Sequence, residues 1–98
     1  MHKLSLGFPK IEQFGLADQL RRATKSIPLN IAEGYGKDSS AVEFKRYLSI
    51  ALGSNNEVRV QLKFCNDLGY ISKEQYSLYD NEYQQIGNML YSLRKAWK

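Results

Sequence analysis

A long amphipathic helix is encoded by residues 72–97, which read SKEQYSLYDNEYQQIGNMLYSLRKAW. Apolar side chains recur at alternating spacings of three and four: Tyr76, Tyr79, Tyr83, Ile86, Leu90, Leu93 and Trp97. Such spacing places them on one face of a helix. Ser72 and Gln75 have the spacing of a capping box, and Ile71 can pack against Tyr76 across the cap. The stretch predicts a helix over about 72–97 with one face buried.

The preceding segment predicts a second helix over about 40–68. Ser40 and Glu43 form another capping-box pattern, and Gly69 is expected to end the helix in a left-handed conformation. The core stripe consists of Phe44, Leu48, Ala51, Asn55, Val58, Leu62 and Cys65. It is flanked by Tyr47, Ile50, Phe64 and Leu68. This wide apolar face indicates a central helix with neighbours on two sides, and Asn55 either fixes helix register from within the core or stays hydrated at its edge.

The first helix is expected over about 11–33. Its buried face is marked by Leu16, Leu20, Ala23, Ile27 and Ile31. Pro28 cannot donate to the carbonyl of Thr24, so the helix either kinks near 24–26 or stops at Ile27 and restarts. We favour one kinked helix, because the apolar stripe keeps its phase through the proline. The Gly34-Tyr35-Gly36 element lacks the context of a phosphate-binding loop and is interpreted as an interhelical turn.

These three helices predict an all-α, antiparallel up-down bundle that forms a single domain over residues 1–98. No segment alternates with the period of a strand, and 43% of the residues are apolar. No apolar run has the ~20 residues that cross a bilayer, and the N-terminus lacks the pattern of a secretory signal. The single cysteine leads us to expect the reducing cytoplasm, with no membrane partner.

Candidate catalytic residues are scarce. His2 is the only histidine and lies at a terminus expected to fray, and Cys65, the only cysteine, lies on an apolar stripe. No cluster of His, Cys, Asp and Glu has the spacing of metal ligands, and no Glu-x-x-His motif is present. We therefore expect no enzymatic activity, no metal and no cofactor.

Two polar stripes are candidates for a structural network. The first helix carries Arg22, Ser26, Asn30 and Glu33 on one face, and the second carries Ser54, Glu57 and Gln61, with Arg46 two turns earlier. One interpretation is that both stripes are solvated. The other is that they face each other in a partly buried network that includes an Arg22–Glu57 pair. The predicted members are Arg22, Ser26, Asn30, Glu33, Ser54 and Glu57.

Basic residues are concentrated in the first two helices. The net charge is +4, and eight basic residues lie between positions 21 and 63 against four acidic ones. From 64 to 93, a single lysine opposes four acidic residues. The candidate nucleic-acid-binding residues are Arg21, Arg22, Lys25, Lys45, Arg46, Arg59 and Lys63. The alternatives are ordinary surface charge, or attraction between copies of the chain through faces of opposite charge.

Several strings of residues together resemble one known family. They are Phe8-Pro9, Glu12, Phe14-Gly15-Leu16, Asp18-Gln19-Leu20-Arg21-Arg22-Ala23, Ser26-Ile27-Pro28, Asn30-Ile31-Ala32-Glu33-Gly34, Leu48-Ser49-Ile50-Ala51-Leu52-Gly53-Ser54, Glu57 and Gln61-Leu62. The pattern resembles the four-helix bundle proteins encoded in intervening sequences of bacterial 23S ribosomal RNA genes, over residues 8–98. That family is similar to the accessory variability protein of diversity-generating retroelements.

The resemblance implies an antiparallel bundle that assembles into a ring-like homo-oligomer, expected to be a pentamer, without enzymatic activity. The retroelement relative binds nucleic acid and a reverse transcriptase through a basic surface, so RNA or DNA and such a protein are candidate partners. Family members usually have a further amphipathic helix before the Phe8-Pro9 element, where this sequence has residues 1–7. A truncated or misplaced start, or a three-helix member, would explain the difference, and the apolar surface uncovered by a missing helix predicts self-association or poor solubility.

The leading hypothesis is thus a non-enzymatic, homo-oligomeric bundle that binds structured RNA or DNA through its basic surface. The competing hypothesis is a protein-interaction scaffold with no direct contact to nucleic acid. A ligand pocket within the bundle core is a third and remote option, because Asn55 is the only polar residue on the apolar stripes.

Overall fold

The computed structural model describes residues 2–10, 15–36 and 40–97. In these residues it contains four helices: α1 (His2–Ser5), α2 (Leu16–Gly36), α3 (Ala41–Asp67) and α4 (Lys73–Ala96). Helix α3 packs against both α2 and α4, and α1 lies against α2, whereas the backbones of α2 and α4 do not approach each other within the described ranges. The predicted all-α bundle is confirmed, with α3 at its centre.

The predicted caps explain where α3 and α4 begin. The Ser72 hydroxyl accepts from the N–H of Gln75 (3.0 Å), and the Gln75 side chain accepts from the N–H of Ser72 (2.8 Å), which completes a capping box. At α3 the Ser40 hydroxyl accepts from the N–H of Glu43 (3.2 Å), but the Glu43 carboxylate accepts from Arg46 (3.2 Å).

The turn after α3 is a Schellman motif. Gly69 has φ +75°, the N–H of Tyr70 donates to the carbonyl of Cys65 (2.9 Å), and the N–H of Gly69 donates to that of Asn66 (3.1 Å). These bonds satisfy carbonyls that the end of the helix would leave free, and glycine adopts the positive φ without a Cβ clash. The predicted left-handed cap is present.

Helix α2 differs from its prediction at the C-terminal end. It continues through Pro28 and extends to Gly36, so a break at Ile27 and a turn at 34–36 are both wrong. The physical reason is packing: Gly34 is buried, and a Cβ at this position would lie 2.7 Å from the Cβ of Tyr47. Glycine here permits close approach of α2 to α3. The predicted start at 11 and the loop residues 37–39 lie outside the described residues.

The hydrophobic core follows the predicted stripes, most completely in α3. All seven of its stripe residues are buried, Asn55 and Cys65 among them. In α4 only Leu90 is buried, while Tyr76, Tyr79, Tyr83, Ile86 and Trp97 are partly buried against the core. The N-terminal segment, expected to fray, instead forms α1 and inserts the buried Phe8, whose ring centroid lies 5.5 Å from that of Tyr70.

A buried amide fixes the position of α4 on α3. Asn55 is 1% exposed, and its Nδ2 donates to the backbone carbonyl of Tyr83 (2.8 Å). A Cβ at Gly87 would lie 2.8 Å from that Nδ2, so glycine makes room for the amide. Asn55 Oδ1 is buried without a hydrogen-bond partner among the described residues. Asn55 therefore lies within the core, where it specifies register at a cost in stability.

A second polar contact joins α2 to α3. The hydroxyls of Ser26 and Ser54 are 2.8 Å apart, and Asn30 Nδ2 donates to the Ser26 hydroxyl (2.9 Å) and carbonyl (2.8 Å). At one end of the same interface, Gln61 Nε2 donates a hydrogen bond to Gln19 Oε1 (3.0 Å). Three residues of the predicted network, Ser26, Asn30 and Ser54, thus lie together.

The other three predicted network residues lie elsewhere. Arg22 forms an ion pair with Asp18, one turn away on its own helix (3.0 Å), so the proposed Arg22–Glu57 pair is not formed. The intrahelical partner is the nearer one, since residues four apart are neighbours on a helix surface. Glu33 and Glu57 are exposed.

The contact between Asn55 and α4 can be tested at two helical glycines. Gly87→Ala should lower the free energy of unfolding by about 2 kcal/mol, because the new methyl group displaces the Asn55 amide. Gly53→Ala is the matched control: no atom lies within 4 Å of its Cβ position, so helix propensity alone should raise stability by about 0.5–1 kcal/mol. Urea unfolding followed by circular dichroism measures both, and equal stabilisation by the two changes would contradict the proposed role of Gly87.

The Ser26–Ser54 bond can be tested by a double-mutant cycle. Ser26→Ala and Ser54→Ala should each cost about 1 kcal/mol, with a coupling energy of about 0.5–1 kcal/mol, because either change removes the same bond. Ser49→Ala is the control, since the exposed Ser49 hydroxyl bonds within its own helix to the Lys45 carbonyl. Additive losses from the two serines would show that the hydroxyls do not interact in solution.

Candidate nucleic-acid interface

The seven candidate binding residues lie at two levels along the bundle axis. Helices α2 and α3 are antiparallel, as the contacts between positions 19 and 61 and between 26 and 54 show. The α2 residues therefore lie level with the second half of α3. The first level therefore contains Arg21, Arg22 and Lys25 of α2 together with Arg59 and Lys63 of α3. Lys45 and Arg46 lie about 20 Å away along α3, since 14 residues of helix rise separate Lys45 from Arg59.

Arg59 connects α3 to α4. Its Nε is 2.9 Å from Asp80 Oδ1 and its Nη2 is 3.3 Å from Asp80 Oδ2, which is a two-bond arrangement. Both side chains are partly shielded from solvent, and the hydrogen bond with Asp80 raises the pKa of Arg59 further above its usual value. Two of the five in-plane N–H donors of this guanidinium are thus engaged within the protein.

Three further cations pair with a carboxylate one turn away on the same helix. Arg22 lies 3.0 Å from Asp18, Arg46 lies 3.2 Å from Glu43, and Lys63 lies 3.8 Å from Asp67. The hydrogen bond with Glu43 raises the pKa of Arg46, whose guanidinium carbon also lies 4.9 Å from the ring centroid of Tyr47. These pairs are largely exposed, so they are screened by salt and can be exchanged for phosphate.

The remaining three cations differ in their surroundings. Arg21 Nη1 donates to the buried Ser5 hydroxyl (2.9 Å), which ties α2 to the N-terminal segment. Lys25 and Lys45 have no carboxylate within ion-pair distance among the residues that the structure describes. Lys25 and Lys45 therefore carry positive charge that no carboxylate of the described residues compensates locally.

Sequence reasoning identified the cations but missed their pairing. The intrahelical partners could have been found, because Asp18, Glu43 and Asp67 lie three or four residues from a cation. The Arg59–Asp80 pair depends on the register between two helices, for which the sequence contains no local signal.

An open groove follows the outer junction of α3 and α4. Its volume is about 470 Å³, and its apolar lining includes Val60, Phe64 and Tyr76. The Arg59–Asp80 and Lys63–Asp67 pairs border it, so its cations and carboxylates balance. It lies on the surface of the bundle, and its lining differs from the core pocket that the sequence leaves as a third option.

The described ranges hold one buried thiol and no cluster of metal ligands. No group of three or more His, Cys, Asp or Glu side chains there could hold a metal ion, and Cys65 is a buried free thiol. None of the described helices has the length and apolar content required to cross a bilayer.

Comparisons with known proteins identify relatives of this chain. The family model for the 23S rRNA-intervening sequence protein matches residues 1–92. No curated protein matches. A crystal structure of a protein of unknown function from the S23 ribosomal protein family of Bacteroides thetaiotaomicron is 29% identical, with a TM-score of 0.84 over 97% of this chain and 85% of that one. From its sequence and its bundle alike, this chain belongs to the 23S rRNA-intervening sequence protein family.

Proposed function

We propose that this protein is a non-enzymatic, homo-oligomeric bundle of the cytoplasm that binds structured RNA or DNA through basic residues of α2 and α3. The observation that carries the proposal is the separation of charge between helices. Between positions 21 and 63 there are eight basic and four acidic residues, whereas α4 is acidic for most of its length. A local excess of positive charge attracts phosphate backbones and makes binding sensitive to salt.

The expected contribution of each cation to phosphate binding depends on whether it already forms an ion pair. Lys25 and Lys45 are the primary phosphate contacts, because no nearby carboxylate among the described residues lowers their field. Arg22, Arg46 and Lys63 contribute by exchanging an exposed carboxylate for a phosphate. Arg21 and Arg59 mainly hold neighbouring elements in place, through Ser5 and Asp80 respectively.

Exposed apolar side chains support the homo-oligomeric part of the proposal. Away from the groove between α3 and α4, they include Val42 and Ile50 on α3, Leu68 at its C-terminal cap, and Leu78, Met89 and Leu93 on α4. Scattered apolar residues are normal on a monomer, and Leu29 and Tyr35 on α2 are exposed as well, but many exposed apolar side chains on neighbouring helices are typical of interaction surfaces. The same observation favours the second candidate function, a protein-interaction scaffold whose partner is a reverse transcriptase or another protein.

Charge reversal at the two uncompensated lysines tests nucleic-acid binding. The Lys25→Glu/Lys45→Glu variant should bind a ribosomal RNA hairpin more weakly and reduce the slope of log K against log salt by about 1.8, or about 0.9 per lost phosphate contact. Fluorescence anisotropy between about 50 and 200 mM salt measures the slope.

The matched control is Lys73→Glu/Lys95→Glu, which makes the same change in net charge on α4. It should leave the slope nearly unchanged. Equal effects of the two variants would show that net charge alone governs binding. If the unaltered protein shows no salt-sensitive binding, the scaffold becomes the better description.

Self-association can be measured independently of nucleic acid. We expect light scattering to show a mass above that of one chain, and Met89→Asp to lower it, because a charge in an apolar interface is costly to desolvate. Gln85→Asp, an exposed polar position on the same helix, should keep the mass of the unaltered protein. A single-chain mass at every concentration would overturn the homo-oligomer.

A further inference from the structure

The groove between α3 and α4 has the features of a base-binding surface. Its volume of about 470 Å³ falls within the range of small-molecule sites, roughly 300–1,000 Å³. Phe64 is 55% exposed, so an apolar aromatic side chain stands at the groove in contact with solvent. Tyr76 is half-buried on the facing helix and Val60 adds apolar lining. Flat aromatic ligands can gain contact area here.

Arg59 adds a second kind of stacking surface. Its guanidinium bonds in its own plane to both oxygens of Asp80, which holds the plane in one orientation. The faces of a guanidinium remain available when its edge is engaged, and nucleobases stack on such faces as well as on aromatic rings. Asp80 thus orients the guanidinium of Arg59.

The charge and polarity of the groove favour a base over a bare phosphate. Two cations and two carboxylates cancel within the lining, so the groove offers little net attraction for an anion. The Asn56 amide provides one donor and one acceptor group at the rim, which suits the hydrogen-bonding edge of a base. Lys63 is 65% exposed and only loosely paired with Asp67 (3.8 Å), so it can reach an adjoining phosphate.

We propose that this groove binds an unpaired nucleobase of single-stranded or looped nucleic acid by stacking it among Phe64, Tyr76 and Arg59. The inference rests on the proposed nucleic-acid function and specifies its substrate: bases that have left the helical stack. Double-stranded segments present no free base face, so they engage the basic residues alone.

The test compares a hairpin RNA with the same stem closed into a continuous duplex. Phe64→Leu keeps an apolar side chain but removes the ring, and should weaken hairpin binding by about 5- to 150-fold, the range measured for loss of one base–aromatic stack. Duplex binding should change less than about twofold. The salt slope for the hairpin should stay the same, because no phosphate contact is lost.

Tyr91→Leu is the matched control, since Tyr91 is 56% exposed on α4 but does not line the groove. It should leave hairpin binding unchanged, and both variants should retain the thermal unfolding transition of the unaltered protein. 2-Aminopurine placed in the loop provides a direct readout, because its fluorescence is quenched when it stacks.

Two results would overturn the groove proposal while the basic surface stands. One is unchanged hairpin binding in Phe64→Leu, or an equal loss for hairpin and duplex, while Lys25→Glu/Lys45→Glu still lowers the salt slope. The other is a change of oligomeric mass in Phe64→Leu without loss of binding, which would assign the groove to a second copy of the chain. Failure of the unaltered protein to bind either RNA would overturn both proposals.

Discussion

The bond from Asn55 to the Tyr83 carbonyl sets the position of α4, and the candidate site depends on that position. An apolar seam alone allows a helix to slide by a turn at small cost, whereas a buried amide must reach a hydrogen-bond acceptor. Gly87 provides the necessary gap. With Asn55 opposite 83–87, Arg59 lies one turn later in α3, opposite Asp80, which lies one turn earlier in the antiparallel α4. The groove and its oriented guanidinium follow from that register.

The placement of charge follows a second constraint, the proximity of residues on one helix. Arg22, Arg46 and Lys63 each find a carboxylate one turn away, so much of the positive charge on α2 and α3 is compensated where it arises. A count of basic residues that ignores these carboxylates therefore overstates the positive field at the surface. The proposed phosphate contacts are the smaller set without a carboxylate partner, together with the exposed pairs for which a phosphate can compete.

The spacing of apolar residues predicts the long helices well, because a helix that buries one face needs apolar side chains every three or four residues. Ser72 with Gln75, and Gly69, likewise marked helix ends through local bonds. Gly34 and Gly87 were not understood from sequence, since the reason for each lies on another helix: Tyr47 in one case and Asn55 in the other. The sequence therefore predicts a turn at Gly34, where the structure has helix. The groove could not be predicted either, because it depends on the register between α3 and α4, for which no local sequence pattern exists.

Helix α4 links the stability of the bundle to its candidate function. Only Leu90 of this helix is fully buried, and partly buried side chains such as Tyr83 and Ile86 make most of its apolar contact with α3, which the Asn55 bond and the Arg59–Asp80 pair supplement. Both contacts lie on the seam that borders the groove. A shift of α4 would therefore separate Tyr76 from Phe64 and release the plane of Arg59 together. Register, ion pairing and the width of the groove therefore all depend on the position of α4. A substitution at Gly87 that moves α4 is expected to alter the proposed stacking site as well.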